Sequence, residues 1–148
     1  MPGSARGDIL RGAGIAFEAA DETGGAILRV AAADIPAALG ALAAGGYEML
    51  IYLFGTDTGE MIEVTYNVRT LSDFSSVIVK CTVPYDGEVA SVWQIYPSAL
   101  FPERETAELL GMSFPGHPNP KRLLTTEGTA PLLRKSELIR TAEEVQFS

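Results

Sequence analysis

The sequence predicts an α+β fold: a two-layer sandwich of a mainly antiparallel sheet with helices on one face, followed by an extended proline-rich C-terminal arm. Three strand-like runs rich in Tyr, Ile, Val and Phe follow one another at residues 47–55, 61–69 and 75–83. The links between them are short and polar, which favours neighbouring antiparallel strands. Apolar and polar side chains alternate along the second and third runs, so we expect one wet face and one helix-covered face.

Length and composition indicate one folded domain. The chain has 148 residues, of which 47% are hydrophobic, enough for a single core. We expect a loose lead-in at residues 1–24, a body at residues 25–112 and a docking arm at residues 113–148. The net charge of −8 has the wrong sign for nucleic-acid phosphates or anionic lipids, so nucleic acid is not an expected partner. No run approaches the ~20 apolar residues of a membrane span, so we expect membrane contact only through partners.

The first predicted elements precede the three strands. A short helix is expected within residues 9–17, and a strand over residues 25–30. A helix is then expected to begin at Asp34, whose side chain would cap it, with Pro36 in its first turn. The pair Gly45-Gly46 is expected to end this helix.

Turns and further helices complete the predicted body. Residues 56–59 (TDTG) have the chemistry of a tight hairpin, and the second link is a polar turn of similar length. A short helix is expected over residues 92–96 with Ser91 as its cap. A longer helix is expected over residues 99–110, ended by the glycine that follows.

The single cysteine and the single histidine restrict the possible chemistry. Cys81 and His117 cannot by themselves supply a disulfide, an iron–sulfur cluster or a Cys/His zinc site, so none of these is expected. Cys81 lies in a predicted strand and is expected to be a small buried hydrophobe. His117 lies in a proline-flanked turn, where a ring nitrogen could contact a backbone group or a partner.

The helix predicted over residues 99–110 concentrates charge. Glu103 and Glu105 lie on opposite sides of a shared helix, which excludes a close carboxylate pair of the glycosidase kind. Acids in the first turn are favoured by the helix dipole, which gives both a structural interpretation. Arg104 could clamp a carboxylate of a neighbouring subunit or pair with Glu108 one turn later.

The arm beyond this helix is locally basic. Between residues 115 and 135 one acid, Glu127, stands against four cations: Lys121, Arg122, Arg134 and Lys135. Prolines prevent this stretch from forming a core of its own, yet it contains two leucine pairs that would otherwise be exposed. These features favour docking on an acidic groove of another protein, and the alternative is a solvated tail.

A family resemblance appears in residues 103–118, which read ERETAELLGMSFPGHP. This stretch resembles the signature of the 30-kDa subunit family of respiratory complex I (the C subunit of NADH-quinone oxidoreductase), which includes subunits of membrane-bound energy-converting nickel–iron hydrogenases. The hallmark is E-R-E, then an acidic-Leu-x-Gly helix end, then a G-H-P turn. The similarity continues through NPKRLL at residues 119–124 and PLLRK at residues 131–135, which resembles the family's P-L-R-K with one residue inserted.

The resemblance implies a cofactorless hydrophilic scaffold subunit, without catalytic residues, of a membrane-associated ion-pumping redox complex. It implies docking on the hydrogenase-like large subunit, beside iron–sulfur subunits, in the cytoplasm at the inner face of the cell membrane. Ala107 where Tyr is usual, and Glu108 where Asp is usual, favour a hydrogenase-associated version. Partner-binding residues are accordingly expected at Glu103, Arg104, Glu105, Glu108, His117, Lys121, Arg122, Arg134 and Lys135.

Two other functions remain open on the sequence alone. A self-contained small-ligand-binding module or enzyme could have a pocket between the sheet and Trp93, Tyr96 and Phe101. No phosphate-binding glycine loop or dinucleotide fingerprint accompanies these aromatic residues. The chain could also be a paralogue that keeps the fold without the complex.

Overall fold

A computed structural model describes residues 2–19 and 26–118 of the chain. Within these residues, five strands form one sheet and three α-helices accompany it. Single 3₁₀ turns precede the second and third helices. The elements are α1 (Pro2–Gly12), β1 (Glu18–Ala19), β2 (Ala26–Arg29), α2 (Ile35–Ala44), β3 (Met49–Asp57), β4 (Ile62–Arg69), β5 (Ser76–Val83) and α3 (Leu100–Leu110).

The sheet is mixed and has the strand order β1-β2-β5-β4-β3. Strands β3, β4 and β5 form the predicted antiparallel meander. Strand β2 pairs with β5 in parallel, while the two-residue β1 pairs with β2 antiparallel. The parallel pairing is possible because α2 lies between β2 and the meander in sequence, which gives the chain the length to cross over.

The hydrophobic core lies on one face of the sheet. Val64, Tyr66 and Val68 of β4 lie opposite Cys81, Val79 and Val77 of β5, and all six are buried. Leucines of α2 and α3 belong to the same cluster, so the helices cover this face. The opposite face, called the open face below, carries the alternate residues of the same strands, among them Tyr52, Phe54, Thr65, Asn67 and Arg69. The predicted helix-covered face is confirmed.

Helix α3 packs closely across β3 at Gly55. A Cβ atom at this position would lie 2.4 Å from Leu110 Cδ1 and 2.8 Å from Thr106 Cγ2. Such distances are well below van der Waals contact, so a side chain at this position would force Leu110 and Thr106 to shift. The contact fixes where the residues of α3 stand relative to the sheet.

The predicted hairpin between β3 and β4 is confirmed. Asp57 Oδ1 accepts hydrogen bonds from the Gly59 N–H, at 2.7 Å, and from the Tyr85 hydroxyl, at 2.6 Å. Gly59 has φ +99°, a conformation that residues with a side chain rarely adopt. In the next link, Asp73 Oδ1 accepts hydrogen bonds from Thr70 Oγ1 and the Ser75 N–H, and these bonds lower the pKa of Asp73 to about 2.

Three local predictions require correction. The N-terminal helix spans Pro2–Gly12 instead of lying within residues 9–17, and Leu10 is buried. Asp34 precedes α2, but its side chain makes no capping hydrogen bond because the residue already has helical dihedral angles. Residues 92–96 form a single turn instead of a helix, since Pro97 has no N–H to continue it.

Helix α3 ends as predicted. Gly111 adopts the left-handed conformation, φ 72° and ψ 36°, and its N–H donates to the Ala107 carbonyl. Residues 112–118 then run back beside the body, where Met112 and Phe114 are buried. The rest of the predicted arm, from residue 119, lies outside the described residues. In the part of the chain that the structure describes, no helix is long and apolar enough to cross a membrane.

Candidate partner-docking site

Residues 87–91 and 113–115 lie side by side and form the frame of the candidate site. Val89 N–H donates to the Ser113 carbonyl at 3.1 Å, and Ser113 N–H donates to the Gly87 carbonyl at 3.1 Å. Ser91 N–H donates to the Pro115 carbonyl at 2.7 Å. These bonds hold the segment that follows α3 against the loop that precedes it, so residues distant in sequence meet at one place.

The buried side chain of Glu103 links this loop to α3 through two hydrogen bonds. Its side chain is fully buried, with 0% exposure. Oε1 accepts a hydrogen bond from the Ser91 hydroxyl at 2.5 Å, and Oε2 accepts one from the Val92 N–H at 2.9 Å. Burial raises the pKa of Glu103 above its usual value, although these two bonds and the nearby His117 act in the opposite direction.

The side chain of His117 links the turn at residues 114–117 to the start of α3. Its Nε2 lies 2.8 Å from the Leu100 carbonyl oxygen; since a carbonyl only accepts, Nε2 carries the hydrogen. The Trp93 indole N–H donates to the Gly116 carbonyl at 3.0 Å, and the His117 N–H donates to the Phe114 carbonyl at 3.1 Å. Of the two roles considered for His117, the structure shows the contact with a backbone group.

A groove of about 370 Å³ lies between α3 and the returning segment. Its helix side is formed by Glu103, Arg104 and Ala107, and its other side by residues 112–117. The lining combines apolar residues with Arg104 and His117. Such a groove offers apolar contact together with a charge that can bind a carboxylate.

The structure brings some of the predicted partner-binding residues together and separates others. Glu103, Arg104 and His117 line the groove, whereas Glu105 and Glu108 do not. Glu103 and Glu108 are buried, so Glu103 is an internal carboxylate and not the surface acid that the helix pattern indicated. The remaining four predicted residues, Lys121, Arg122, Arg134 and Lys135, lie outside the described residues.

The contact between Glu103 and Ser91 was missed at the level of sequence. A helix acid in a first turn gives no signal that it points inward, and Ser91 was interpreted as the cap of a helix that does not form. The Ser91 hydroxyl oxygen does accept the Trp93 N–H at 3.3 Å, so the local turn chemistry was visible. The long-range hydrogen bond from Ser91 to Glu103 was not visible in the sequence.

The three aromatic residues considered for an alternative pocket lie in different environments. Tyr96 is buried, and its hydroxyl donates to the Tyr47 carbonyl at 2.6 Å, so this ring closes the core. Phe101 is exposed, and the Trp93 indole is bonded to the returning segment. None of the three aromatic residues lines the groove.

Cys81 is buried on the helix-covered face as predicted. Burial raises the pKa of its thiol to about 12, which keeps it protonated and unreactive as a nucleophile at neutral pH. Within residues 2–19 and 26–118, no group of three His, Cys, Asp or Glu side chains is placed to hold a metal ion.

Curated relatives are similar to this chain in sequence. The C subunit of NADH-quinone oxidoreductase from Phenylobacterium zucineum is 33% identical over 86 residues, covering 56% of this chain and 41% of the relative. The protein of the same name from Moorella thermoacetica is 34% identical over 82 residues, covering 53% of this chain and 55% of the relative. This chain therefore spans about half the length of these curated relatives.

Solved structures give the same picture at the level of fold. A trypsin-resistant fragment of Nqo5 superposes with a TM-score of 0.68 at 25% identity, covering 80% of this chain and 99% of the fragment. A chain of a membrane-bound sulfane sulfur reductase, an archaeal respiratory membrane complex, superposes with a TM-score of 0.67 at 23% identity. The superposition covers 75% of this chain and 68% of the reductase chain, and it shows a likeness of fold alone. The family model described as respiratory-chain NADH dehydrogenase, 30 Kd subunit, matches residues 28–142, which include all but the first three residues of the body, the groove and most of the arm. With more than three quarters of its length matched to that model, the chain belongs to the respiratory-chain NADH dehydrogenase 30 Kd subunit family.

Proposed function

We propose that this chain is a cofactorless scaffold subunit of a membrane-associated respiratory redox complex. The observation that carries the proposal is the extent of the family match, which runs from β2 through the groove and into residues 119–142. A paralogue that kept only the fold would be expected to match the family model over the body alone. The name of the curated relatives, which are C subunits of a quinone oxidoreductase, supports a role beside other subunits.

The proposed partner is the hydrogenase-like large subunit of the complex. The groove between α3 and residues 112–117 and the basic arm beyond it are the proposed docking surfaces. Arg104 would bind a carboxylate of the partner, and the arm cations Lys121, Arg122, Arg134 and Lys135 would lie on an acidic surface. Glu103 and Glu108, being buried, would act by holding the groove in shape. The complex would hold this chain at the cytoplasmic face of the membrane.

Interface variants test this proposal. Replacement of Arg104 by Ala, or of Arg134 and Lys135 together by Ala, is expected to weaken assembly with the large subunit. The melting temperature of the isolated chain is expected to change little, because cations that bind a partner would add little to the stability of the isolated chain. Assembly is measured by co-purification from gently solubilised membranes, and melting by circular dichroism. A large loss of stability together with intact assembly would contradict the proposal.

A further inference from the structure

The open face of the sheet carries a row of exposed apolar side chains along its edge. Strand β3 is the last strand in the sheet order. Its open-face residues Met49, Tyr52 and Phe54 are exposed by 41%, 36% and 45%. The rings of Tyr52 and Phe54 lie with their centroids 5.4 Å apart. No described helix or strand covers them, and a contiguous apolar row of this kind is typical of an interaction surface.

Beside this row lies a second row of residues, each of which has one buried polar atom without a hydrogen-bond partner. Thr65, Asn67 and Arg69 of β4 are paired in register with Phe54, Tyr52 and Met49, respectively. Thr65 Oγ1, Asn67 Oδ1 and Arg69 Nε are shielded from solvent and have no hydrogen-bond partner. The side chains of Thr65 and Asn67 are only 2% and 9% exposed. Buried polar atoms are normally hydrogen-bonded, so three in a row indicate a site whose partners come from another molecule.

The charge of the open face differs from that of the rest of residues 1–100. Three cations, Arg29, Arg69 and Lys80, share this face with two acids, Glu18 and Glu63. The other charged side chains of residues 1–100 are two cations and ten acids. Glu63 accepts hydrogen bonds from Arg29, at 2.9 Å, and from Lys80, at 3.2 Å. Arg69 is therefore the cation of this face that is best placed to meet a carboxylate from outside.

The occupant follows from this chemistry. Residues 115–135 of the same chain carry four cations and one acid, the wrong charge to lie on a face with excess positive charge. Residues 136–148 carry three acids and one cation, and their occupancy of this face is the outcome that would overturn the inference. A partner surface needs apolar groups for the β3 row, hydrogen-bonding groups for the β4 row and a carboxylate for Arg69. We propose that the open face is a second docking surface, occupied by a segment of a neighbouring subunit that places a carboxylate at Arg69 and apolar side chains on Tyr52 and Phe54. This inference rests on the proposed function.

Photo-crosslinking in the assembled complex tests this surface. The full chain is expressed in its native membranes with Phe54→p-benzoylphenylalanine, which keeps an aromatic side chain in place. A second chain carries the same replacement at Phe74, an exposed aromatic residue in the turn between β4 and β5, as the reference for chance contacts. The Phe54 position is expected to give a covalent adduct with another subunit, several-fold more abundant than at Phe74. Peptide mapping is expected to locate it in a segment that contains Asp or Glu.

A charge reversal provides the second readout. Arg69→Glu is expected to reduce the Phe54 adduct about tenfold, because a like charge then faces the partner carboxylate. Arg11→Glu, at an exposed position of α1 away from this face, is the matched control and is expected to leave the adduct unchanged.

Adducts confined to this chain, whether with residues 119–148 or with a second copy, overturn the inference. So does the absence of an adduct in a complex that co-purifies intact, and in that case the proposed function stands. If the chain co-purifies with no other subunit, both this inference and the proposed function are contradicted.

Discussion

Glu103 shows how a single buried carboxylate makes the stability of this fold depend on pH. Burial raises the pKa of its carboxyl in the folded chain above the ordinary value of 4.5, so folding favours the protonated form. The stability that this shift contributes is complete below pH 4.5 and is lost as the pH rises through the folded pKa.

The variant Glu103→Gln removes this titration. We therefore expect the free energy of unfolding of the wild type, relative to that of the variant, to rise as the pH falls from 7 toward 4.5. Urea denaturation of both proteins across that range measures it. A difference between the two proteins that stays constant with pH would show that burial does not govern the ionisation of Glu103.

Removing the hydroxyl group is expected to have opposite effects on stability at two buried tyrosines of the body. The Tyr66 hydroxyl is buried in the core without a hydrogen-bond partner, whereas the Tyr96 hydroxyl donates to the Tyr47 carbonyl. Removing an unsatisfied hydroxyl removes its desolvation cost, so Tyr66→Phe is expected to stabilise the chain by about 1 kcal/mol. Tyr96→Phe is expected to destabilise it by a similar ~1 kcal/mol, since a hydrogen bond is lost. Thermal or urea denaturation distinguishes the pair, and equal destabilisation by both would contradict the described core.

At the scale of elements, the contact between α3 and β3 depends on the absence of a side chain at Gly55. Gly55→Ala places a methyl group in conflict with Leu110 and Thr106 and is expected to cost about 1–3 kcal/mol through overpacking. The matched control is Gly40→Ala inside α2, where the new Cβ would lie 3.8 Å from Ile95 in ordinary contact. There the better helix propensity of alanine is expected to stabilise the chain by ~0.5–1 kcal/mol. If Gly55→Ala were as well tolerated as Gly40→Ala, the described approach of α3 to β3 would be wrong.

The elements that could be predicted are those whose cause is local. The alternation of apolar residues predicted β4 and β5, the TDTG link predicted the first hairpin, and Gly111 predicted the end of α3. The two-residue β1 is too short to show a period, and the parallel pairing of β2 depends on a crossover that no local pattern records. Asp34 has the residue type of a cap but already has helical backbone geometry.

The candidate site divides in the same way. A family resemblance identified Arg104 and His117, which do line the groove, but it gave no means of recognising which acids point inward. Burial of Glu103 results from the packing of the loop at Ser91 and Val92 against α3, a contact between residues 11 and 12 positions apart. The unpartnered polar row of β4 likewise appears only when the strands are aligned, because Thr65 and Asn67 read in sequence as residues of a wet face.

At the scale of the whole molecule, a core that makes the fold is distinct from the surfaces proposed for assembly. Ile62 and Val79 are fully buried on the helix-covered face. Ile62→Ala or Val79→Ala is expected to cost ~2–5 kcal/mol in the free energy of unfolding while leaving assembly of the folded fraction intact. The measurements are urea denaturation of the isolated chain and co-purification at a temperature below its melting point. Loss of assembly without loss of stability would place an interface where the structure has core.

The central claim is that this family member works as one subunit among others. Affinity purification of the tagged full chain from gently solubilised native membranes, with identification of the co-purifying proteins by mass spectrometry, tests it most directly. We predict recovery of a hydrogenase-like large subunit together with iron–sulfur and membrane subunits, and the cysteines of that large subunit would distinguish a hydrogenase from a quinone-reducing complex. Recovery of the chain alone, under conditions that keep other membrane complexes of the same cells intact, would contradict the claim.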